Sequence, residues 1–298
     1  MIIDAHQHVF WHGRNDADLI ADMDQQKIDI AWLLSWEIAR GEWQDVDYSK
    51  ILNPIHRRGD GSHPGIPLSD LLIAKERHPS RFILGYCPHS AIGNAPDLFE
   101  AAVKIWGVKV CGEWKCRMLL DDPRCLNLFR RAGELKCPII IHLQPAYLRN
   151  AQSGRMDYQS EWHGGSIENL ARAAKACPAS IFLGHGPGFW REISADADES
   201  PEGYPSGPVK PGGRLTAVMA GNPNIWADLS AGSGLMALKR DAEHAKEFLS
   251  RFADRIVFAR DYFGDDLYVF LKTLDLPKDV SDKIMFANAQ RILSSGKN

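Results

Sequence analysis

The 298-residue sequence lacks the features that mark membrane, secreted and nucleic-acid-binding proteins. No apolar run approaches the ~20 residues that a transmembrane helix needs, and no basic segment followed by an apolar stretch opens the chain. The formal net charge of −3 offers no electrostatic attraction to nucleic acid or to an anionic membrane. A hydrophobic fraction of 45% nevertheless supplies enough apolar side chains for a large core, so the composition predicts an ordinary globular protein.

Cysteine pairs of the kind that bind zinc or carry redox chemistry are also missing. The six cysteines are Cys87, Cys111, Cys116, Cys125, Cys137 and Cys177, and no two of them form a Cys-x-x-Cys motif. In a chain of this length the spacing favours reduced, mostly buried thiols over a disulfide framework. We therefore expect a cytoplasmic protein.

What the sequence does contain is a regular alternation of short β-branched runs and longer amphipathic segments. Eight such runs lie at 2–5, 30–36, 82–88, 107–113, 138–143, 181–185, 225–230 and 256–261. The pattern predicts an α/β fold, a (β/α)8 TIM barrel that spans residues 1–298 as one domain, with a doubly wound open sheet as the main alternative. Long connections at 37–67, 144–165 and 186–212 follow strands two, five and six, on the face where a barrel carries its site.

The first run ends in a His-x-His motif, Asp4-Ala5-His6-Gln7-His8. Strand alternation predicts that Asp4, His6 and His8 share one side and that Gln7 faces the other. Two imidazoles at a strand end can share one divalent ion, and Asp4 is then a candidate to orient them from below. The alternative is a pair of surface histidines.

Three further polar residues end later strands: His142 ends strand five, His185 ends strand six and Asp261 ends strand eight. Alternation places His142 out of phase with its isoleucine neighbours, His185 in phase with Leu183, and Asp261 in phase with Ala259. All five residues would then converge at the C-terminal mouth of the barrel. Together they predict a metal centre.

This arrangement of His-x-His, two later histidines and a final Asp resembles the amidohydrolase superfamily. Shorter motifs, among them Gly184-His185-Gly-Pro and Phe286-Ala-Asn288-Ala-Gln-Arg-Ile, resemble its amidohydrolase-related branch, which includes aminocarboxymuconate-semialdehyde decarboxylase. The resemblance covers residues 2 to 293. One departure is Ala259-Arg260-Asp261, where many relatives have Gly or Ser and then Thr before the Asp; alternation directs Arg260 outward.

The resemblance implies a divalent metal cofactor, one or two ions, with zinc as the first choice and manganese, iron or nickel as alternatives. The implied ligands are His6, His8, His142, His185 and Asp261. Asp261 would also accept the proton of a metal-activated water, and His185 would bind a second ion or polarise the substrate carbonyl.

Strand four completes the predicted set. Alternation places Lys109, Cys111, Glu113 and Lys115 on one face. The Gly-Glu pair resembles the strand-four end of TatD-like hydrolases, so Glu113 is predicted to bridge the metals or to bind their ligands. The alternatives are that Glu113 pairs with Lys115 or Arg117 at the rim, or that Lys109 reaches the metal layer instead.

The predicted reaction is hydrolysis of a small amide, lactone or ester by metal-activated water. The alternative is decarboxylation of an unsaturated carboxylic acid, and a remoter one is a barrel that binds metal or ligand without catalysis. Candidate substrate-binding residues are Lys115, Arg117, Trp162, His163 and Arg191. The expected partner is a small-molecule substrate, with no nucleic acid and no membrane, and the resemblance implies a homodimer.

Overall fold

Twelve strands lie within residues 1–45 and 51–294, which the computed structural model describes. In chain order the strands are β1 (Ile3–Gln7), β2 (Ile30–Leu34), β3 (Trp36–Glu37), β4 (Gly65–Ile66), β5 (Phe82–Gly85), β6 (Cys111–Trp114), β7 (Ile139–His142), β8 (Tyr147–Arg149), β9 (Met156–Tyr158), β10 (Phe182–His185), β11 (Ile225–Asp228) and β12 (Ile256–Val257). Eight of them, β1, β2, β5, β6, β7, β10, β11 and β12, coincide with the eight predicted runs.

The helices follow the strands as the pattern predicts. They are α1 (Asp16–Gln25), α2 (Leu68–Arg77), α3 (Ala95–Trp106), α4 (Pro123–Glu134), α5 (Ile167–Ala176), α6 (Pro187–Trp190), α7 (Arg214–Gly221), α8 (Ala231–Lys239), α9 (Ala242–Arg251), α10 (Asp266–Thr273), α11 (Lys278–Asp282) and α12 (Asn288–Ser294), with a π-helical turn (Lys283–Ala287) before the last. None of the described helices is long and apolar enough to cross a membrane.

Local sequence sets where the helices begin. Asn15 caps α1 because its side chain accepts a hydrogen bond from the Asp18 amide, while the Asp18 carboxylate accepts one from the Asn15 amide. Asp122 caps α4 in front of Pro123, whose missing N–H costs nothing at the first helical position.

The eight parallel strands close into a barrel. Their ladders run in the orders β1-β2-β5 and β12-β11-β10-β7-β6. Backbone hydrogen bonds join the two groups on both sides: Lys109 N to Leu84 O at 2.9 Å between β5 and β6, and Ala5 N to Phe258 O at 3.0 Å between β1 and the continuation of β12. The predicted TIM barrel is therefore confirmed.

Inside the barrel, one apolar cluster fills the space between the strands. Its members include Ile3, Ala5, Trp32, Leu34, Val110, Ile140, Leu183, Val257 and Ala259. The intervening residues, such as Ile139, Ile141, Phe182 and Phe258, belong to the larger cluster between strands and helices. This alternation places His142 above Ile140, His185 above Leu183 and Asp261 above Ala259, as predicted.

Two strands break the alternation, and here the predictions were wrong. Between Asp4 and Gln7, three steps along β1 match two along β2, so β1 carries one extra residue. Because of this bulge Asp4 lies on the outer side with Gln7, whose amide donates to it at 2.9 Å, and does not share a side with His6.

The same irregularity occurs in β6, where Cys111 to Trp114 matches two steps of β7. Val110 and Gly112 face the interior, Cys111 and Trp114 pack outward, and the bulge then turns Glu113 inward. Lys109 is exposed and does not reach the metal layer. The predicted common face of Lys109, Cys111 and Glu113 is therefore wrong.

The three predicted long connections begin at the C-terminal ends of strands, and residues 46–50 of the first lie outside the described part of the chain. The first contains β3 and β4, which pair with each other, and the second contains the β8–β9 hairpin. The third follows β10 and begins with α6. Ion pairs of Arg240 with Asp196 and of Arg214 with Glu192 connect it to the neighbouring helices. All three lie around the mouth of the barrel.

Candidate metal centre

The six predicted metal ligands meet at the mouth of the barrel, where their nitrogen and oxygen atoms lie within hydrogen-bonding or ion-pair distance. His6, His8, Glu113 and His185 are almost completely buried, and His142 and Asp261 are only slightly exposed. Five of them form two groups of possible ligands, one of His6, His8 and Glu113 and one of Glu113, His142 and His185, and a third group joins His6 and His185 to Asp228.

In the first group, two imidazoles point at each other. The Nε2 atoms of His6 and His8 are 3.4 Å apart, and the Oδ1 atom of Asp261 lies 3.7 Å from the first and 3.3 Å from the second. Glu113 Oε2 lies 3.5 Å from His8 Nε2. Two nitrogens and two carboxylate oxygens therefore surround one point.

The hydrogen bonds at the other ring nitrogens fix which tautomers these histidines adopt when neutral. His8 Nδ1 lies 2.8 Å from the Leu34 carbonyl oxygen, which can only accept a hydrogen bond. His6 Nδ1 lies 2.8 Å from Asp228 Oδ2. In both neutral rings the proton is therefore on Nδ1, and both Nε2 atoms present lone pairs.

When both rings are neutral, four acceptors without a donor therefore converge. Asp261 Oδ1 is buried and has no hydrogen-bond partner among the described residues. Such a set repels itself unless a cation lies between its members. Imidazole nitrogens and carboxylate oxygens are ligands for zinc, manganese, iron and nickel, so these residues fit a divalent metal ion.

Without metal, a proton takes the place of the cation. Burial alone would lower the pKa of His6, but the carboxylates of Asp261 and Asp228 raise it to about 10. Burial would raise the pKa of Asp228, whereas His6 lowers it below its usual value. A metal ion must therefore displace a proton from His6 at neutral pH.

The second group is satisfied internally. His185 Nε2 donates to Glu113 Oε1 at 2.6 Å and His142 Nδ1 donates to the same oxygen at 2.9 Å. Burial would raise the pKa of Glu113, but Lys115 and these histidine hydrogen bonds hold it well below the usual value. Glu113 offers one oxygen to each group, which is the geometry of a bridging carboxylate.

Two residues at the end of β11 support the ligands and were not predicted to belong to the site. Asp228 is fully buried, and its second oxygen accepts a hydrogen bond from the Ser230 amide at 2.7 Å. The Ser230 hydroxyl lies 3.1 Å from His185 Nδ1 and 3.3 Å from His6 Nδ1. The strand-end criterion could have identified both residues, because they lie at the end of the predicted seventh strand, as the other polar site residues lie at the ends of theirs.

Cationic and aromatic groups surround the mouth. The Lys115 ammonium lies 4.0 Å from the centre of the Trp36 ring. Burial and the charge of Lys115 lower the pKa of His142 to about 4, and burial and Lys115 lower that of His163 well below its usual value. The charge of Arg117 also contributes to the lowered pKa of His163, whose ring packs edge-on against His142 at 5.5 Å. Two predicted substrate residues, Lys115 and His163, therefore lie beside the ligand cluster, and Arg117 lies within electrostatic range of His163.

The other two predicted substrate residues lie in the surrounding loops. Trp162 Nε1 donates to the Tyr158 hydroxyl of the β8–β9 hairpin at 3.0 Å. Arg191 is buried, and its guanidinium donates to the carbonyl oxygens of Ala197 and Ser200 in its own loop. No described contact joins Trp162 or Arg191 to the metal ligands.

Tyr204, in the loop after β10, is a further residue that sequence reasoning missed. Burial and the charge of Asp261 raise the pKa of its phenol, while Lys115 lowers it. The phenol therefore lies within electrostatic range of the ligand cluster. A tyrosine inside a long Gly- and Pro-rich loop carries no signal of such a position in the sequence.

Solved structures share this fold over almost the whole chain. No protein-family model and no curated protein matches the sequence. The chain is similar to a 5-carboxyvanillate decarboxylase from Sphingomonas paucimobilis, with a TM-score of 0.60, 14% identity and coverage of 98% of each chain.

Two further structures show the same likeness. A candidate 2-pyrone-4,6-dicarboxylic acid hydrolase from Pseudomonas putida has a TM-score of 0.59 and 13% identity over 98% of this chain and 97% of its own. A dihydroxybenzoic acid decarboxylase from Polaromonas, with bound manganese and 2-nitroresorcinol, has a TM-score of 0.57 and 15% identity over 100% of this chain and 98% of its own. At these identities the likeness establishes the barrel fold and leaves the reaction to be argued from the site.

Proposed function

We propose that the chain is a metal-dependent enzyme of the amidohydrolase superfamily that hydrolyses a small amide, lactone or ester. The observation that carries the proposal is the convergence of two imidazole Nε2 atoms and two carboxylate oxygens at one point, where either a proton or a metal ion must lie between them. A metal ion can take the place of that proton, and an arrangement open to the mouth suits catalysis better than a closed structural site.

His6 and His8 would hold the ion through Nε2, together with Asp261 Oδ1 and Glu113 Oε2. His142, His185 and Glu113 Oε1 would hold a second ion once the proton of each histidine moves from the nitrogen that faces Glu113 to its other ring nitrogen. Zinc is our first choice, and the manganese in a similar barrel supports manganese as the alternative. When bound, such an ion lowers the pKa of water towards neutrality and polarises a carbonyl oxygen.

Protein side chains then transfer the proton and orient the substrate. The Asp261 carboxylate has no hydrogen-bond donor at Oδ1 among the described residues, so the group can accept the proton of the attacking water and pass it to the leaving group. His185, fixed between Glu113 and Ser230, keeps its ring in one orientation towards the site. Lys115 would bind an anionic group of the substrate, with Arg117, His163 and Tyr204 lining the approach.

A metal-dependent decarboxylase is the second candidate. The ammonium of Lys115 beside Glu113 favours it, because a substrate that loses CO2 must first place a carboxylate near the ligands. Two of the similar barrels are named as decarboxylases of aromatic acids. A non-catalytic barrel is the remoter alternative, and the unpaired Asp261 oxygen argues against it.

Location and assembly are part of the same proposal. All six cysteines are free and buried, which suits the reducing cytosol. The net charge of −3 supports a small-molecule substrate and not a nucleic acid. The β8–β9 hairpin exposes Tyr147, Met156 and Tyr158, and such a patch supports a homodimer, which sedimentation can measure.

Metal analysis and one substitution test the proposal. Protein purified without chelator should contain one to two divalent ions per chain, and Asp261→Asn should abolish turnover while most of the metal stays bound. Asp254→Asn is the matched control, because Asp254 lies near the opposite end of β12 and is largely exposed. A folded protein that binds no metal would refute the proposal.

A substrate screen separates the two reactions. Lactones, amides and esters should be assayed for acid release, and unsaturated and aromatic carboxylic acids for CO2. Turnover of the first class alone supports the hydrolase, whereas CO2 release in proportion to substrate loss identifies the decarboxylase. Replacement of Lys115 by Met should raise KM most strongly for substrates that carry a carboxylate.

A further inference from the structure

We propose that Arg260 is a positioning residue, which holds the Asp261 carboxylate at the metal centre through a buried ion network outside the barrel wall. The inference rests on the proposed metal site and adds a residue that touches neither metal ligand atoms nor substrate. Arg260 is also where this sequence departs from the superfamily pattern, because it stands directly before Asp261, the aspartate that ends the eighth strand.

Arg260 is only 6% exposed and is bound on two sides. Its amide donates to Asp4 Oδ1 at 2.9 Å, and its Nε donates to Asp4 Oδ2 at 2.7 Å. Its Nη1 lies 2.8 Å from Asp22 Oδ2 on α1 and donates to the Gly264 carbonyl at 2.9 Å. One guanidinium thus connects β1, α1 and the loop after β12.

The same network reaches both sides of the ligand cluster. Gln7, which lies between the two histidine ligands of β1, donates from Nε2 to Asp4 Oδ2 at 2.9 Å and to the Tyr262 carbonyl at 2.6 Å. Asp261 lies between Arg260 and Tyr262. The residues on either side of Asp261 are therefore tied to the strand that carries His6 and His8.

Asp261 needs this support because its own contacts do not orient its carboxylate. Its backbone adopts a left-handed conformation with φ +54°, which is unfavourable for a residue with a Cβ. Its amide donates to the His6 carbonyl at 2.9 Å and its carbonyl accepts from Trp11 Nε1 at 3.3 Å. Oδ1 has no partner, so its direction depends on the backbone that Arg260 fixes.

A lysine at this position can replace only part of the network. An ammonium is a single point charge and cannot present the guanidinium fork to Asp4 and Asp22 at once. Arg260→Lys should therefore keep the bond to one carboxylate, and Arg260→Met should lose both. If Arg260 served packing alone, Arg260→Lys would not retain more of the function of the network than Arg260→Met.

Cobalt(II) provides the test, because its visible absorption reports coordination geometry and its binding does not depend on knowing the substrate. Unaltered protein, Arg260→Lys, Arg260→Met and Asp22→Asn should each be stripped of metal and titrated with Co2+. Arg255→Met is the matched control: Arg255 lies at the other end of β12, and its guanidinium donates to the carbonyls of Met219, Asn222 and Ile225.

We expect Arg260→Met to bind Co2+ at least tenfold more weakly, with an altered visible spectrum, since loss of the groups that orient ligands typically costs 10–100-fold in affinity. Arg260→Lys should recover part of the affinity. Asp22→Asn, which leaves the contacts of Arg260 with Asp4 intact, should lose less affinity than Arg260→Met, and it keeps the test valid if Arg260→Met does not fold. Arg255→Met should lower the melting temperature without changing the spectrum.

Two outcomes would overturn the inference, and they are distinct. If folded Arg260→Met and Asp22→Asn proteins bind Co2+ with unchanged affinity and spectrum, Arg260 does not position Asp261, although the metal centre stands. If the unaltered protein binds no Co2+, the metal centre itself is refuted and the inference falls with it.

Discussion

Replacement of Asp228 by Asn should weaken metal binding, even though Asp228 does not belong to the converging ligand atoms. Its carboxylate is fully buried and accepts two hydrogen bonds, from His6 Nδ1 at 2.8 Å and from the Ser230 amide at 2.7 Å. Asn has the same shape but replaces one of these acceptors by a donor.

The amide of Asn has two orientations, and neither preserves the site. If its oxygen faces His6, its NH2 group meets the Ser230 amide donor, and a buried donor is left unpaired. If its NH2 group faces His6, Nδ1 must accept, the imidazole proton moves to Nε2, and the nitrogen that points at Asp261 can no longer bind a metal.

The size of the effect follows from the lost interaction. A hydrogen bond to a charged group contributes about 1.5–3 kcal/mol, and each 1.4 kcal/mol corresponds to about tenfold in affinity. We therefore expect Asp228→Asn to bind zinc about 10–100-fold more weakly, in the range seen when groups that orient metal ligands are lost.

Competition against a chromophoric chelator at pH 7.5 measures this change directly. Asp241→Asn is the control, because Asp241 caps α9 through a bond from the His244 amide at 3.0 Å and Asn caps helices equally well. An Asp228→Asn protein that is folded and binds zinc as tightly as the unaltered chain would show that Asp228 does not set the His6 tautomer.

Three further predictions concern the metal-free protein and the mouth. His6, whose pKa is raised from 6.5 to about 10, contributes stability that is complete below about pH 6.5 and is lost as the pH rises towards 10. His142, whose pKa is lowered to about 4, contributes stability that is complete above about pH 6.5 and is lost as the pH falls towards 4. Urea unfolding of metal-free protein should therefore show greatest stability near neutral pH, and a flat profile would contradict both shifts. Tyr204→Phe should lower kcat/KM about tenfold without changing the melting temperature, and unchanged turnover would remove the phenol from the site. Gly184→Ala should destabilise the fold by about 1–3 kcal/mol in thermal unfolding, because its Cβ would lie 2.3 Å from an aromatic carbon of α6, whereas Gly93→Ala meets no atom within 4 Å and should be neutral.

Much of the fold could be predicted because eight strand patterns recur at regular distances and helices separate them. The directions of His142, His185 and Asp261 followed from alternation, since β7 and β10 pair without irregularity and Val257 and Ala259 lead straight up to Asp261. The strand-end criterion therefore identified these ligands correctly from residue order alone.

Contacts made by irregular or distant segments could not be predicted in this way. Strand alternation placed Asp4 beside His6 because a period of two contains no information about a bulge. Arg260 was expected to face outward and does so, but the two carboxylates that surround it come from β1 and α1. Tyr204 comes within electrostatic range of Asp261 through the path of a loop that has no repeating pattern.

The two bulges have a common consequence for how ligands fit into a barrel. In each bulged strand two consecutive residues face inward, Ala5 with His6 in β1 and Gly112 with Glu113 in β6. Two adjacent side chains then share the space that alternation gives to one, so the lower member must be small. The clearance is short: a Cβ on Gly112 would lie 2.9 Å from Cβ of Ile140, in the layer directly beneath the ligands. In both bulged strands the small residue directly before the ligand allows the strand to add a ligand at the mouth while the apolar layer below stays filled.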